Sequence, residues 1–334
     1  MGLIIDFQRQ NNMRQVVLAL IPVVLGAVYF FGWIALVILI VSIISCTLTE
    51  WAFVRKSGGK VSEAVFVTAF LFALTLPPTI PLYMVVLGSA FGIVFGKMAF
   101  GGFGANIFNP ALVGRAFLYI TFPVHMTNKW IPAADFFDFP GGFLSWKFTG
   151  TNNTIEAITS ATPLSAFREH AANLPDYLQL FMGNINGNVE ILGETILLGG
   201  GSLGETSALL LFIGGCYLLV KKIASWQIVV SFFISFLITS FFLHSITPIL
   251  TPNPLYGLLT GGLVLGGFFM ATDPISATRT NSGRFIYGSL IGLLTVLIRS
   301  YSLFYGGVMF AILLGNTFAP LIDYAVKQRE TKKT

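Results

Sequence analysis

The sequence predicts an all-α integral membrane protein of about ten transmembrane helices, arranged as two inverted five-helix repeats with broken or re-entrant helices. The chain has 334 residues, of which 55% are hydrophobic and only 10% are charged, whereas about one-quarter of a soluble domain is charged. Several uncharged stretches are long enough to cross a bilayer. A proline-containing segment also recurs about half a chain apart, which indicates the internal repeat.

The first half of the chain contains five predicted spans. Residues 15–49 carry no charge, and because a helix needs about 20 residues to cross the hydrocarbon, they predict two helices with a turn near Gly32. A second uncharged run lies between Glu63 and Lys97 and contains three prolines, which predicts two more helices, one of them short. The fifth span is predicted over residues 111–123.

The second half contains five more. Apolar character resumes near Thr206 and reaches Lys221, which predicts the sixth span. The run that follows, up to Asp273, contains no charged residue but several prolines, and it predicts spans seven and eight. Residues 285–298 and 301–322 predict spans nine and ten, with Arg299 at the turn between them.

An even number of spans places both termini on one side of the membrane. Basic residues gather on that same side, and since short basic loops stay in the cytoplasm, both termini are predicted to be cytoplasmic. These residues are Arg9, Arg14, the "RKSGGK" loop at residues 55–60, Lys97, Lys221, Lys222, Arg279, Arg284 and the "KQRETKK" tail. The net charge of +5 therefore reports orientation, and nucleic acid is not a predicted partner.

The internal repeat divides the chain. The segment "LPPTIPLYMVVLG" from Leu76 is similar to "LTPNPLYGLLTGG" from Leu250. The segment "GRAFLYI" from Gly114 is similar to "GRFIYGS" from Gly283. Since each copy has five spans, an odd number, the copies have opposite orientations. The predicted divisions are residues 1–123 for the first repeat, 124–205 for an extracytoplasmic section, and 206–334 for the second repeat and a cytoplasmic tail.

Two segments predict broken helices at which ligands bind. "FGGFGANIFNPAL", residues 100–112, and "MATDPISAT", residues 270–278, combine Gly, Asn or Pro in a way that suits an interrupted helix better than a lipid-facing one. A plain cytoplasmic loop is the alternative for the first segment. Asp273 in the second is either a ligand, of an ion or of a ring cofactor, or a helix cap.

A hydroxyl-rich stretch, "TIEAITSATPLSAF" at residues 154–167, falls in the extracytoplasmic section. Thr159, Ser160 and Thr162 surround Ala161, and no His or Cys accompanies them at a spacing that suits nucleophilic catalysis. On the residues alone this stretch is an ordinary turn.

A glycine-rich stretch, "GGGSLGETSALLL" from Gly199, precedes the sixth span. Ser202 and Glu205 have the spacing of a capping box that would open this span, and Gly201 beside them lets the backbone approach a ligand. A helix start with exposed amides binds anions, so a phosphate group is one candidate ligand. A simple helix start is the other interpretation.

Segments spread over nearly the whole chain resemble the RnfD/NqrB family, the flavin-bearing membrane subunits of Rnf and Na⁺-translocating NADH:quinone oxidoreductase complexes. These segments, in the family's order, are "FGGFGANIFNPALVGRAFL", "SATPL", "GSLGETSALLL", "FFMATDPISA", "GSLIGLLTVLIR" and "NTFAPLIDY". The resemblance implies FMN joined through a phosphoester to Thr162 by a flavin transferase. Thr159, Ser160 and Ala161 match the attachment pattern, whereas Glu156 stands where the family has Asp.

The resemblance also implies a second flavin, a noncovalent riboflavin, inside the helix bundle toward the cytoplasm. Asn109, Arg115, Gly201 and Ser202 are candidate flavin contacts, and Asp273 is a candidate contact for the coupling ion or a flavin. The implied partners are other Rnf or Nqr subunits, including an extracytoplasmic FMN-carrying subunit and membrane iron–sulfur subunits, together with membrane lipid. The implied location is the bacterial cytoplasmic membrane, with many spans.

The expected function is that of the RnfD subunit of an Rnf-type complex, a ferredoxin:NAD⁺ oxidoreductase that couples electron transfer to transport of Na⁺ or H⁺. The short stretch before the first span favours RnfD, while "GRAFL" and "MATDPISA" are closer to NqrB, which is the alternative. A urea-channel-like transporter without redox chemistry is the alternative from another class, since an inverted five-plus-five bundle also suits a solute pore.

Overall fold

The computed structural model describes residues 5–55, 58–127, 130–134, 141–144, 161–171, 173–185, 187–191, 194–302 and 306–332. It is predominantly helical. Among these described residues, six helices are long and apolar enough to cross a membrane. They are Asn11–Phe31, Ile34–Val54, Leu82–Phe100, Trp226–Ile246, Asn281–Tyr301 and Val308–Thr331. The structure thus supports a protein that crosses the membrane several times, and the count of ten spans stays a prediction.

In the first half, α1 (Asn11–Phe31) and α2 (Ile34–Val54) form the predicted hairpin. Gly32 makes the turn with a φ of 83°, a backbone conformation that glycine adopts without strain. The helices α3 (Ala64–Leu74), α4 (Leu82–Gly96) and α5 (Pro110–Thr121) follow. At 1.5 Å per residue α3 rises only about 16 Å, so it cannot cross the hydrocarbon alone.

The middle of the chain contains short elements. They are α6 (Pro123–Thr127), α7 (Pro163–Arg168), α8 (Tyr177–Met182) and an antiparallel hairpin of Gly187–Ile191 with Glu194–Leu198. A second small sheet pairs Phe7–Gln8 with Val61–Ser62 in parallel. The prediction of an all-α fold is therefore corrected to a helical bundle with two minor sheets, because short chain segments beside the helix ends pair their backbone groups with one another.

The second half contains the most interrupted helix. After α9 (Ala208–Val220) and α10 (Trp226–Ile246), the chain forms α11 (Pro254–Leu259), the three-residue α12 (Leu263–Leu265) and a π-helical turn (Gly266–Met270). Two long helices, α13 (Asn281–Tyr301) and α14 (Val308–Thr331), complete the fold. The break that the prolines predict after residue 246 is confirmed.

Arg299 supports a second break, at the end of α11. It lies in the last turn of α13 rather than in a turn between spans, and it is 5% exposed. Its guanidinium donates hydrogen bonds to the carbonyl oxygens of Gly257, Thr260 and Gly261, at 2.8, 3.0 and 2.7 Å. These carbonyls lie where α11 ends, so the side chain satisfies backbone groups that an interrupted helix leaves without partners.

Glycines allow the long helices to approach closely. A Cβ at Gly92 would lie 2.5 Å from the carbonyl oxygen of Pro110, and a Cβ at Gly114 would lie 2.4 Å from that of Gly88, so α4 and α5 pack backbone to backbone. The same holds where α13 meets α10, because a Cβ at Gly292 would lie 2.5 Å from the oxygen of Phe232. Close packing of this kind holds helices together where lipid removes the hydrophobic driving force.

A buried ion pair ties α2 to the end of α4. Lys97 Nζ lies 2.6 Å from Glu50 Oε2 and 2.6 Å from Ser62 Oγ. The other carboxylate oxygen, Glu50 Oε1, accepts from the amide and the hydroxyl of Ser62 at 2.9 Å. Because Lys97 and Glu50 are each only 2% exposed, each charge depends on the other for stabilisation.

We predict that Lys97→Met lowers the free energy of unfolding by roughly 3–5 kcal/mol, because it leaves the Glu50 carboxylate buried without a counter-charge. The double variant Glu50→Gln, Lys97→Met should recover most of this loss, since neither side chain of the pair is then charged. Each variant is purified in detergent and heated, and size-exclusion chromatography then measures the fraction that stays folded. Comparison of the melting curves gives the loss of stability in the single and in the double variant. Equal losses in the single and double variants would contradict the prediction.

Candidate functional site

Two cavities collect the predicted site residues that the structure describes. The first, here the Thr162 cavity, is lined by Thr162, Gly201, Ser202 and Arg115 together with residues of α6, α8 and α11. The second, here the Asp273 cavity, is lined by Asp273 and Asn109 with residues of α1, α3 and α9. The structure therefore divides the predicted residues that it describes between two cavities.

The two cavities lie toward opposite ends of α5 and α9. The start of α5 lines the Asp273 cavity with Pro110, whereas Arg115 and Tyr119, further along, line the Thr162 cavity. Conversely, Thr206 just before α9 lines the Thr162 cavity, and Leu218 near its end lines the Asp273 cavity. This separation agrees with the opposite membrane sides that the span count predicts for these segments.

Thr162 is held firmly at the start of α7. It is the N-cap residue, and Ser165 N donates a hydrogen bond to its hydroxyl oxygen at 3.1 Å. In return, the amide and the hydroxyl of Thr162 both lie 2.9 Å from Ser165 Oγ. Pro163 occupies the first helical position, where its missing N–H has no cost. The reciprocal cap fixes the rotamer of Thr162 beside the cavity.

The residue before Thr162 anchors the same segment. Ala161 forms a parallel bridge with Leu198, and its carbonyl oxygen accepts from the amides of Gly199 and Gly200 at 3.3 and 3.1 Å. The hydroxyl-rich and glycine-rich stretches identified in the sequence are thus neighbours in space. Glu156, Thr159 and Ser160 lie outside the described residues, so their predicted contribution to the attachment pattern has no structural account.

The predicted capping box of Ser202 and Glu205 is wrong. The helix begins at Ala208 with Ser207 as its N-cap, several residues after Ser202. The Glu205 carboxylate instead accepts from Arg115 Nη1 at 3.1 Å, with both side chains largely buried. A largely buried carboxylate is stabilised more by a guanidinium than by a neutral amide, which explains the preference.

The wall of the Thr162 cavity contains polar atoms that lack partners. Ser202 Oγ and Arg115 Nε are buried without a hydrogen bond to any residue that the structure describes. Buried polar groups in proteins are nearly always paired, so both atoms indicate room for a polar ligand. Together with the hydroxyl of Thr162, they fit a cofactor that carries oxygen acceptors, as a flavin phosphate does.

The Asp273 cavity lies between the two predicted broken segments. Asp273 Oδ2 accepts from Ser276 Oγ at 2.7 Å, and Asp273 Oδ1 accepts from Ile275 N at 3.4 Å. Residues 271–280 form turns rather than a helix, so the helix-cap interpretation of Asp273 is corrected: the carboxylate stabilises a turn. Its role as a ligand of an ion or a ring stays a prediction.

Asn316 joins the two broken segments, and sequence reasoning missed it. It is fully buried on α14, its Oδ1 accepts from Asn109 N at 3.2 Å, and its Nδ2 donates to Ser276 O at 3.2 Å. Asn109 itself caps α5 by accepting from Ala111 N at 3.1 Å. An asparagine inside an otherwise apolar span was the available signal, because such a residue needs polar partners in the bundle.

Ser165 and Arg299 were also missed as site residues. The T-x-x-S spacing of Thr162 and Ser165, with proline between them, was a readable signal for an N-cap. Arg299 carried a weaker signal, a lone cation between two apolar runs, because only the folded chain brings it to the end of α11.

The comparisons with known proteins agree with the resemblance seen in the motifs. The sequence matches the NQR2, RnfD, RnfE family over residues 6–332. It is 37% identical to the RnfD-type subunit of the ion-translocating oxidoreductase complex of Aliivibrio salmonicida, over 96% of this chain and 93% of that protein. It is 38% identical to the NqrB-type subunit of the Na⁺-translocating NADH-quinone reductase of Pseudomonas paraeruginosa and 37% identical to that of Haemophilus influenzae, each over 92% of this chain and 69% of the relative. This chain therefore belongs to the NQR2, RnfD, RnfE family.

Proposed function

We propose that the chain is a flavin-bearing membrane subunit of an ion-translocating oxidoreductase complex, of the RnfD type. The observation that carries this proposal is the pair of cavities toward opposite ends of α5 and α9, one beside Thr162 and one beside Asp273. Between Pro110 and Tyr119 helix α5 rises about 14 Å, so the two cavities lie at different depths along the same helix.

Thr162 is the proposed site of covalent FMN, attached by a flavin transferase. Formation of the phosphoester would remove the hydroxyl proton of Thr162 and keep its oxygen. Because the helix cap uses that oxygen as an acceptor for Ser165 N, α7 can remain capped after modification. Arg115, Gly201 and Ser202 line the same cavity and are the residues that would hold the cofactor. A flavin there would supply one- and two-electron transfer.

The Asp273 cavity is the proposed site of a noncovalent riboflavin. Its walls are largely apolar, with Phe103, Phe269 and Val67 among them, which suits an aromatic ring system. Asn109 and Asp273 add polar groups that can orient such a ring. Both broken segments contribute to this wall, as expected where an interrupted helix lines a ligand site.

Asp273 is also the residue proposed to couple electron transfer to transport of Na⁺ or H⁺. A change of charge in a low-dielectric bundle is stabilised by a nearby ion of opposite sign. A carboxylate on a broken helix can hold such a cation, and Asp273 faces the cavity while its hydrogen bonds to Ser276 and Ile275 fix its orientation.

Helix packing supports the inverted five-helix repeat. Within the first half α2 packs on α4 and α4 on α5; within the second half α10 packs on α13 and α13 on α14. Between the halves α1 meets α9 and α5 meets α14. These pairs support a correspondence of α1–α5 with α9, α10, α11–α12, α13 and α14. This correspondence matches α4 with α13 and α5 with α14, whereas the recurring sequence motifs pair α4 with α11 and α5 with α13. Helix packing therefore supports a division into five plus five helices but not the alignment that the motifs predict.

The proposed setting is the bacterial cytoplasmic membrane with both termini in the cytoplasm, among other subunits that supply iron–sulfur clusters and an extracytoplasmic FMN. Ferredoxin and NAD⁺ are the proposed couple of the whole complex, and NADH and quinone are the alternative. The relatives from the two complexes are 37% and 38% identical to this chain, so sequence identity does not separate them. Assays of the purified complex for ferredoxin:NAD⁺ and for NADH:quinone oxidoreductase activity would distinguish the two complexes.

We predict that the denatured chain fluoresces under ultraviolet light on a gel and that Thr162→Ala abolishes the signal, because the attachment hydroxyl is lost. The matched control is Thr127→Ala, since Thr127 also lines the cavity but would not carry the cofactor. If the chain with its native sequence is expressed together with the flavin transferase and still shows no fluorescence, the result favours the alternative function, a transporter without redox chemistry.

We predict the opposite pattern for the second flavin. Acid extraction of Thr162→Ala should still release riboflavin, whereas Val67→Trp, which fills part of the Asp273 cavity, should remove the extractable flavin and leave the gel fluorescence intact. Chromatography of the extract measures this. Unchanged riboflavin content in Val67→Trp would place that flavin elsewhere.

We predict that Asp273→Asn lowers ion transport per electron in the reconstituted complex by about 10-fold or more, because the carboxylate charge is lost while the amide oxygen can still accept from Ser276. Proteoliposomes with an ion-selective dye report transport, and substrate oxidation reports electron flow. Normal transport and normal electron flow together would remove Asp273 from the coupling mechanism.

A further inference from the structure

Two buried arginines lie near the Thr162 cavity, one in its wall and one behind it. Arg115 lines the cavity, and Arg299 lies behind the part of the wall formed by Thr260 and Gly261, whose carbonyl oxygens it binds. Arg115 is 8% exposed and Arg299 is 5% exposed. Two guanidinium charges therefore lie where little water can reach them.

Among the described residues that line the cavity, a single carboxylate opposes these two cations. Glu205 accepts from Arg115 at 3.1 Å and also attracts Arg299 electrostatically. Every other lining residue that the structure describes is uncharged. One positive charge on each arginine and one negative charge on Glu205 leave a formal charge of +1 beside the cavity.

This excess charge needs a partner. A buried charge without a counter-charge is strongly unfavourable, and the carbonyls around Arg299 supply only partial negative charge. Two buried polar atoms of residues that line the cavity, Arg115 Nε and Ser202 Oγ, have no hydrogen-bond partner among the described residues. The wall thus offers unused donors and unbalanced positive charge at the same place, which indicates a missing anion.

We propose that the Thr162 cavity is a buried binding site for one singly charged phosphate group, contacted by Arg115 and Ser202. Arg299 is a positioning residue, which holds the Thr260–Gly261 wall and adds charge from behind it. The assignment rests on the proposed function: the phosphate is the diester that joins FMN to Thr162, and a diester has one ionisable oxygen and so carries the single negative charge that the site lacks.

The test uses the full chain with Thr162→Ala, which has no covalent flavin, in detergent with saturating riboflavin to fill the Asp273 cavity. Addition of FMN, and of inorganic phosphate at higher concentration, should raise the melting temperature. Arg115→Gln should weaken the phosphate affinity by about 10-fold or more, because a charge-assisted hydrogen bond is lost. Glu205→Gln should strengthen it, because the competing carboxylate is removed.

Arg115→Gln and Glu205→Gln are expected to change the phosphate affinity in opposite directions. This separates anion recognition from a structural role, because loss of the Arg115–Glu205 ion pair alone would weaken phosphate binding in both variants. Arg168→Gln is the control, because Arg168 lies on α7 but does not line the cavity. If Arg115→Gln fails to fold, the other two variants provide the test. Glu205→Gln should bind phosphate more tightly, and Ser202→Ala should bind it more weakly. No response to FMN, or weaker binding in Glu205→Gln, would overturn the proposal.

The native, flavin-bearing chain distinguishes this inference from the proposed function. Its own diester should fill the site, so added phosphate should leave its melting temperature unchanged. A phosphate response in a chain that fluoresces on a gel would show that the flavin phosphate lies elsewhere and overturn this inference alone. A chain without fluorescence that still binds phosphate through Arg115 would overturn the flavin assignment and leave an anion site for free phosphate or a lipid headgroup.

Discussion

The structure depends on one constraint, that every backbone polar group inside a bilayer must find a partner within the protein. A helix that stops inside the hydrocarbon leaves carbonyls or amides unpaired at its end. Arg299 donates hydrogen bonds to three carbonyl oxygens where α11 ends. Asn316 connects the backbone of Asn109 with that of Ser276. These two buried side chains make interrupted helices tolerable in this fold.

Both cavities follow from those interruptions. The break after α11 leaves the wall of Thr260 and Gly261 beside Thr162, and the two segments that Asn316 joins enclose the cavity beside Asp273. Continuous helices would fill the same volume with their own side chains. The close packing of α4 on α5 and of α10 on α13 keeps the frame rigid around these openings, because backbones in direct contact leave little freedom to shift.

Much of this organisation was predictable from the sequence, and the failures have a common cause. The hairpin turn at Gly32, the short third helix and the proline-directed break follow from local composition. The capping box of Ser202 and Glu205 also followed local rules, yet it does not form, because Arg115 lies 90 positions away and competes for the carboxylate. The helix-cap role of Asp273 failed similarly, since Ser276 and Ile275 hold its carboxylate in a turn.

The sequence by itself determined that this chain is a helical membrane protein of the NQR2, RnfD, RnfE family, and it identified Thr162, Ser202 and Asp273 as residues of interest. Hydropathy and motifs are local properties, so they can be read without coordinates. Only the tertiary structure decided which of these residues share a cavity, that Arg299 is buried against the end of α11, and that two arginines face one carboxylate. Those facts depend on contacts between residues far apart in sequence, which the packing of the bundle alone creates.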